Sequence, residues 1–356
     1  MKILHSADWH LGSPLRGRTE AQAALIRQSL LSVPQKIAAL CRQERCDMLL
    51  LAGDLFDGDC PTDMIRMVQS TLGDTGIPVF IAPGNHDPIG LDSPYSFGVW
   101  PDNVTVFQQN RITSVAVPEL DCRVYGAAFT AASSAGLLEG FTASGPETYH
   151  IGVLHGDPVQ TASPYCPITA PQVRSSGLSY LALGHIHKGD TFREGGTLCA
   201  WPGCPAGRGL DELGDKGVLL VTLEETVQTQ FIPLDVPKFY DLELPVEVSA
   251  EETLSAYLPP VGNDNFYRIT LTGESEKPDL KLLFQRFSRF PNLELRDQTV
   301  PPIDPWSEVG ADTFAGAYFT QLQNALIDAD EETRRQITLA AQISRKILDG
   351  QEVVLP

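Results

Sequence analysis

Five apolar runs in this chain stop at clusters of metal-binding side chains. The clusters are Asp8-x-His10, Gly53-Asp54-x-x-Asp57, Gly84-Asn85-His86-Asp87, His155-Gly156-Asp157 and Gly184-His185-x-His187. Runs this short read as β-strands. Clusters placed directly after them fall on the carboxyl edge where open α/β sheets hold their sites. The chain has seven histidines, and five of them (His10, His86, His155, His185 and His187) lie in these clusters. Histidine here is spent on chemistry. The other two, His5 within the first run and His150 at the start of another, read as packed or edge residues.

The alternation of strands and helices extends through residues 1–235. Strands are expected at 1–6, 48–52, 79–82, 123–127, 150–154, 180–183, 197–200 and 217–223, with helices over 19–41 and 63–72. Residues 236–300 change texture to a β-α-β-α-β pattern, as expected of a small α+β cap. The proline-rich stretch 301–305 reads as a stiff linker. Residues 306–350 carry two helical stretches with few breakers before Gly350.

The clusters supply what two adjacent divalent cations need: terminal ligands for each and a carboxylate to bridge them. Asp54, on a tight turn after an apolar strand, is the natural bridge. Asp8 and His10 can reach one ion together, and His185 and His187 can serve the two ions separately. Asn85 offers a neutral oxygen and His155 an imidazole nitrogen. Mixed nitrogen and oxygen ligation suits manganese, iron (Fe2+) or zinc (Zn2+) better than magnesium or calcium. Two such ions acidify water and clamp phosphate oxygens for in-line attack. His86 is then available to protonate the leaving oxygen or to stabilise the transition state. Asp57 reads as a turn residue or a group that orients a histidine, and Asp87 as a group that positions His86. Asp157 reads as a turn residue or another such group.

Composition narrows the rest. The formal net charge of −19 argues against tight binding of long nucleic acid by this chain alone. Two cations would offset that charge where a phosphate sits. Seven scattered cysteines without a C-x-x-C pair indicate reduced thiols in a cytoplasmic protein. No apolar run is long enough to span a membrane, and the first residues read as a strand rather than a signal peptide. Whether the chain forms a homodimer is left open.

The five clusters, in this order, resemble the calcineurin-like metallophosphoesterase superfamily, over residues 1 to about 190. The resemblance implies an α/β fold of two packed mixed β-sheets flanked by helices. It implies one metal on Asp8, His10, Asp54 and His187 and a second on Asp54, Asn85, His155 and His185, with His86 catalytic and Mn2+ the usual ion. The segments ILHSADWHLGS, GDLFD, YLALGHIH and WPGCPAGRGLDELGDKGVLLV look like its DNA repair exonuclease branch, which includes the SbcD-type nucleases. That branch usually has Ser where Cys204 stands. The branch implies a manganese-dependent exonuclease acting on DNA beside an SMC-like ATPase. Arg208 and Lys216 would then meet DNA phosphates, ordinary surface charge being the alternative. Leu322, Ala325, Leu326, Ile337, Ala340, Ala341 and Ile347 would form a docking face for the ATPase, or would pack on their own cap. A phosphodiesterase or phosphatase for small molecules, or a metal-binding scaffold that regulates a partner, are the other readings. Protein phosphatases are disfavoured, because Gly58 and Pro88-Ile89 stand where their signature carries arginine.

Overall fold

The apolar runs become strands, and their polar ends gather on one edge. The structure is a computed structural model describing residues 1–58, 60–302 and 304–350. Two compact units divide the chain, Met1–Tyr240 and the part from Asp241 onward.

The first unit opens with β1 (Lys2–Ser6), α1 (Glu20–Glu44), β2 (Met48–Leu51), α2 (Thr62–Gly73), β3 (Val79–Ile81) and β4 (Val104–Val106). There follow β5 (Thr113–Val117), β6 (Cys122–Gly126), β7 (Tyr149–His155), α3 (Ala170–Ser175) and β8 (Tyr180–Gly184). Two hairpins, β9 (Lys188–Glu194) with β10 (Thr197–Gly203) and β11 (Gly217–Leu223) with β12 (Val227–Pro233), close it. One sheet runs β12-β11-β1-β2-β3-β4 and the other β5-β6-β7-β8-β10-β9. Each is mixed, and its parallel strands are β1, β2, β3 and β4 in the first and β6, β7, β8 and β10 in the second. Parallel strands covered on both faces carry unbroken apolar runs. Accordingly Met48–Leu51 and Tyr180–Gly184 are buried along their whole length.

The sheets face each other across one core that joins Ile3, Met48, Leu50 and Phe80 of the first to Val124, Ile151, Val153 and Tyr180 of the second. Helix α1 starts at a capping box, in which Thr19 and Gln22 satisfy each other's backbone N–H groups. His5 is buried in the core, its Nδ1 2.8 Å from the Tyr180 hydroxyl and its Nε2 3.0 Å from the Leu183 carbonyl. Burial lowers its pKa to about 3. His150 lies 3.0 Å from the Tyr125 hydroxyl. Both histidines are structural.

The expected eight strands form the interior of the two sheets. The four not anticipated, β4, β5, β9 and β12, are the four edges. Edge strands face solvent and lose the apolar run: β9 reads KGDTFRE and β12 reads VQTQFIP.

In the second unit, β13 (Phe239–Pro245), which begins in the first unit, α4 (Ala250–Tyr257), β14 (Phe266–Thr272), α5 (Leu280–Arg286) and β15 (Leu293–Asp297) realise the β-α-β-α-β pattern. Their sheet runs β13-β14-β15. Of the linker expected at 301–305, residue 303 lies outside the described residues. Helices α6 (Phe314–Ala325) and α7 (Glu331–Leu348) follow and contact each other, with the Tyr318 hydroxyl 2.9 Å from that of Ser344. The proposed docking face is divided. Ala341 is buried, whereas Ala325, Ala340 and Ile347 remain exposed. No helix among the described residues is long and apolar enough to cross a membrane.

The sheets come closest where β8 ends. A Cβ on Gly184 would overlap the Ala52 carbonyl oxygen and stand 2.8 Å from the Ala7 Cβ. Gly184→Ala is therefore expected to destabilise the protein by about 1–3 kcal/mol, measured by urea unfolding.

Candidate metal centre

The chain after β1 turns so that Asp8 and His10 both take left-handed backbone angles, φ 56° and 50°. Asp54 (φ 51°) and His185 (φ 101°) do the same. Residues with a Cβ enter this region only where their surroundings hold them there. Here the loops brace one another: the Asp8 N–H donates to the Gly53 carbonyl and the His10 N–H to the Asp54 carbonyl, each at 3.0 Å. Gly53 (φ 90°) has no room for a side chain, since a Cβ would lie 2.5 Å from His155 Nδ1.

Asp54 stands in the middle. Its Oδ2 is 3.3 Å from His155 Nε2 and 3.9 Å from His10 Nε2, and its Oδ1 accepts the His86 N–H at 2.9 Å. On one side His10 Nε2 and His187 Nε2 face each other at 3.1 Å. Asp8 completes that group, with ligand atoms all within 4.8 Å of one another. On the other side Asp8, Asp54 and His155 form a second such group. Asn85 Oδ1 lies 2.9 Å from His155 Nε2. Unlike donors converging on two neighbouring points fit two divalent cations with mixed nitrogen and oxygen ligation. The resemblance assigns Asp8 to one cation, but its carboxylate belongs to both groups. His185 is less directly engaged: its ring packs against His155 and Tyr165, with centroids 5.2 Å and 4.8 Å away.

Asp8, His10, Asp54 and His155 are all buried. Burial pushes both carboxyls up. At Asp8 it prevails and the pKa rises to about 6, while at Asp54 the His155 imidazole prevails and holds the acid well below the usual range. Burial also pulls His155 down, but Asp54 more than reverses it and lifts the imidazole to about 9.

Each of these imidazoles is oriented through its other nitrogen, as metal-binding histidines require. His155 Nδ1 donates to the Ala52 carbonyl at 2.9 Å, His10 Nδ1 is 3.3 Å from Asp57 Oδ2, and His187 Nδ1 is 2.7 Å from Glu212 Oε1. Asp57 thus contacts two histidines, since its Oδ1 is also 3.2 Å from His86 Nδ1. That contact raises the His86 pKa. His86 lies at the mouth of the site, its side chain 45% exposed.

Three expectations change. Asp87 was assigned to His86, but its buried carboxylate faces the other way and accepts the N–H groups of Gly84, Asp54, Leu55 and Phe56 and the Tyr95 hydroxyl. It ties the Asp54 loop to the Asn85 loop. Arg208 is no exposed phosphate contact. Its guanidinium is committed to Glu212 at 2.7 Å, lies 3.5 Å from Asp57, and approaches His187 Nδ1 at 3.2 Å. Lys216 is buried too, against a cleft beside His187. Asp157 proves to be a turn residue, accepting the Val159 and Gln160 N–H groups.

Glu212 was not anticipated. It is buried, and although burial raises its pKa, His187 and Arg208 together hold it well below the carboxylate range. It follows Arg208 by one helical turn's spacing in a segment that is not a helix, so no periodicity marks it.

Residues 1–189 match the calcineurin-like phosphoesterase family. The chain is 33% identical over 244 residues to the uncharacterized metallophosphoesterase YhaO of Bacillus subtilis (strain 168), covering 62% of this chain and 57% of that one. It is 24% identical over 265 residues to the SbcD subunit of the nuclease SbcCD of the same organism, covering 62% and 66%. The match thus spans less than two thirds of the length of either curated relative. Among solved structures, a dimetal phosphatase from Danio rerio aligns with a TM-score of 0.42 and 14% identity, over 65% of this chain and 95% of its own.

Two outcomes follow from these contacts. Glu212→Gln should weaken metal binding about 10–100-fold, read from metal content after dialysis against buffered ion. Asp87→Ala strips five donors of their acceptor and should cost about 3 kcal/mol or more in thermal unfolding.

Proposed function

The chain belongs to the calcineurin-like phosphoesterase family, a family of metal-dependent phosphoester hydrolases, and from that premise we propose that it is a dinuclear phosphodiesterase that hydrolyses DNA. The observation that carries the reaction type is the pair of donor groups that share Asp8, one with His10 and His187 and the other with Asp54 and His155, with His86 held beside them by Asp57. Two cations held there would supply positive charge to phosphate oxygens and acidify water.

The protein's own groups do the rest. Asp54 fixes the His86 backbone through its Oδ1, so the imidazole and the bridging carboxylate move as one. Asp57 binds His86 Nδ1 and favours the protonated ring, leaving Nε2 to deliver a proton to the leaving oxygen. The Glu212 carboxylate accepts from His187 Nδ1, and Arg208, paired to Glu212, holds that carboxylate in place.

The substrate assignment rests on the DNA-repair-branch segments of the sequence and on likeness to a protein that is named as part of a nuclease. In this reading manganese is the working ion, digestion is exonucleolytic, and an SMC-like ATPase supplies the basic DNA surface that a chain of net charge −19 lacks. The exposed Ala325, Ala340 and Ile347 of α6 and α7 are the surface offered to that partner. The acidity itself favours a second reading, hydrolysis of small phosphoesters.

The test is hydrolysis of end-labelled DNA, bis-p-nitrophenyl phosphate and p-nitrophenyl phosphate with added Mn2+, with His86→Asn as control. DNA shortening that the variant loses by about 10²–10⁴-fold, at unchanged metal content, is the expected result. Turnover of the small esters with intact DNA, alone and with an ATPase partner, would move the assignment to small molecules. Loss of metal in the variant would make His86 a ligand instead.

A further inference from the structure

Of the four imidazoles assigned to cations, three are tethered through the nitrogen turned away from the centre: His10 to Asp57, His155 to the Ala52 carbonyl and His187 to Glu212. His185 is the exception. Among the described residues neither of its ring nitrogens has a hydrogen-bond partner. Its backbone is fixed, because its N–H donates to both oxygens of the Asp8 carboxylate, at 3.0 Å and 3.1 Å. The ring beyond that backbone still turns about two bonds. A side chain that must give up such freedom on binding makes a weaker contact than one already held.

What bounds this ring is aromatic. His155 stands edge-on to it, with centroids 5.2 Å apart and planes at 76°, and Tyr165 is closer, at 4.8 Å and 43°. Rings at such separations attract each other beyond the area they bury. Tyr165 is itself firmly placed. Its N–H donates to the Ser163 hydroxyl at 3.3 Å, its carbonyl accepts the Asp157 N–H at 3.0 Å, and it forms a β-bridge with Ser134. Asp157 lies two residues beyond His155, so the loop that carries Tyr165 is tied to the strand that carries a neighbouring ligand. The ring packs half-buried against the apolar cluster of Leu154, Ile168 and Leu183. Its hydroxyl has no hydrogen-bond partner among the described residues, so the ring alone makes the contact.

We infer that Tyr165 is the positioning residue for His185, holding by ring contact the one imidazole of the four that no acceptor tethers. The two cation positions are then unequally supported. The one that includes His10 and His187 is braced by the carboxylates of Asp57 and Glu212, and the one that His185 would join depends on an aromatic neighbour. The inference rests on the dinuclear reading of the centre and is independent of DNA as the substrate.

The test is calorimetric titration of Mn2+ into the full chain after metal has been stripped from it. Two binding steps are expected. Tyr165→Ala should weaken one of them about tenfold or more and spare the other, the scale on which loss of an orienting neighbour acts at metal-binding histidines. Tyr165→Phe should keep both steps, since the ring and not the hydroxyl makes the contact. A second readout needs no metal. In EDTA the Hδ2 and Hε1 proton resonances of His185, assigned by their absence in His185→Gln, should carry a ring-current shift that Tyr165→Phe keeps and Tyr165→Ala loses. Should Tyr165→Ala not fold, Tyr165→Leu fills the space without an aromatic ring and decides in its place. Unchanged binding in the variant without a ring, equal weakening of both steps, or a Tyr165→Phe chain as weak as Tyr165→Ala overturns the inference. A single equivalent of Mn2+ on the unmodified chain would overturn the dinuclear reading and this inference together. Two equivalents with an indifferent Tyr165→Ala would overturn this inference alone.

Discussion

The centre of this protein is a seam between two sheets, and the residues that close the seam are the same ones that gather the donors. At the end of β8 the sheets approach until only a glycine fits against the Ala52 carbonyl. From that point His155, on the second sheet, donates to Ala52 on the first, and the His185 N–H donates to Asp8. Asp87 then ties the Asp54 loop to the Asn85 loop within the first sheet. Remove the seam and there is no site, because each sheet alone holds only half of the donors.

The seam also gathers charge where burial disfavours it. Asp8 and Asp54 lie buried beside the buried His10 and His155 and the half-buried His187. Isolated charges there would be prohibitive, so the groups divide into pairs: Asp54 with His155, Glu212 with Arg208 and His187, and Asp57 with His10 and His86. The pairing sorts the carboxylates by their surroundings. Asp54 has only imidazoles beside it, whereas Glu212, paired with Arg208, holds His187 from behind.

The sequence was most legible where side chains were buried on both faces. Residues 48–51, 180–184 and the other interior strands form apolar runs, and the ligand clusters follow them directly. The edge strands were illegible for the same reason inverted. Lys188–Glu194 alternates polar groups because it borders solvent, and only its pairing with β10 makes it a strand. Asp57 could be read, because its place one turn beyond Asp54 implies nearness to the site. Asp87 was misjudged because adjacency to His86 along the chain says nothing of direction. The backbone sends the two side chains opposite ways, one to the cleft and one under the loop. Arg208 and Lys216 looked like surface cations, since their burial depends on Glu212 and on the hairpins that fold over them. Contacts of that range leave no local pattern.

The left-handed turns at Asp8, His10, Asp54 and His185 bear on how cations are acquired. These four backbone conformations are held by hydrogen bonds between loops. The donors are thus placed by the fold itself, at the expense of backbone strain. Selection among cations would then rest on the spacing that these loops impose.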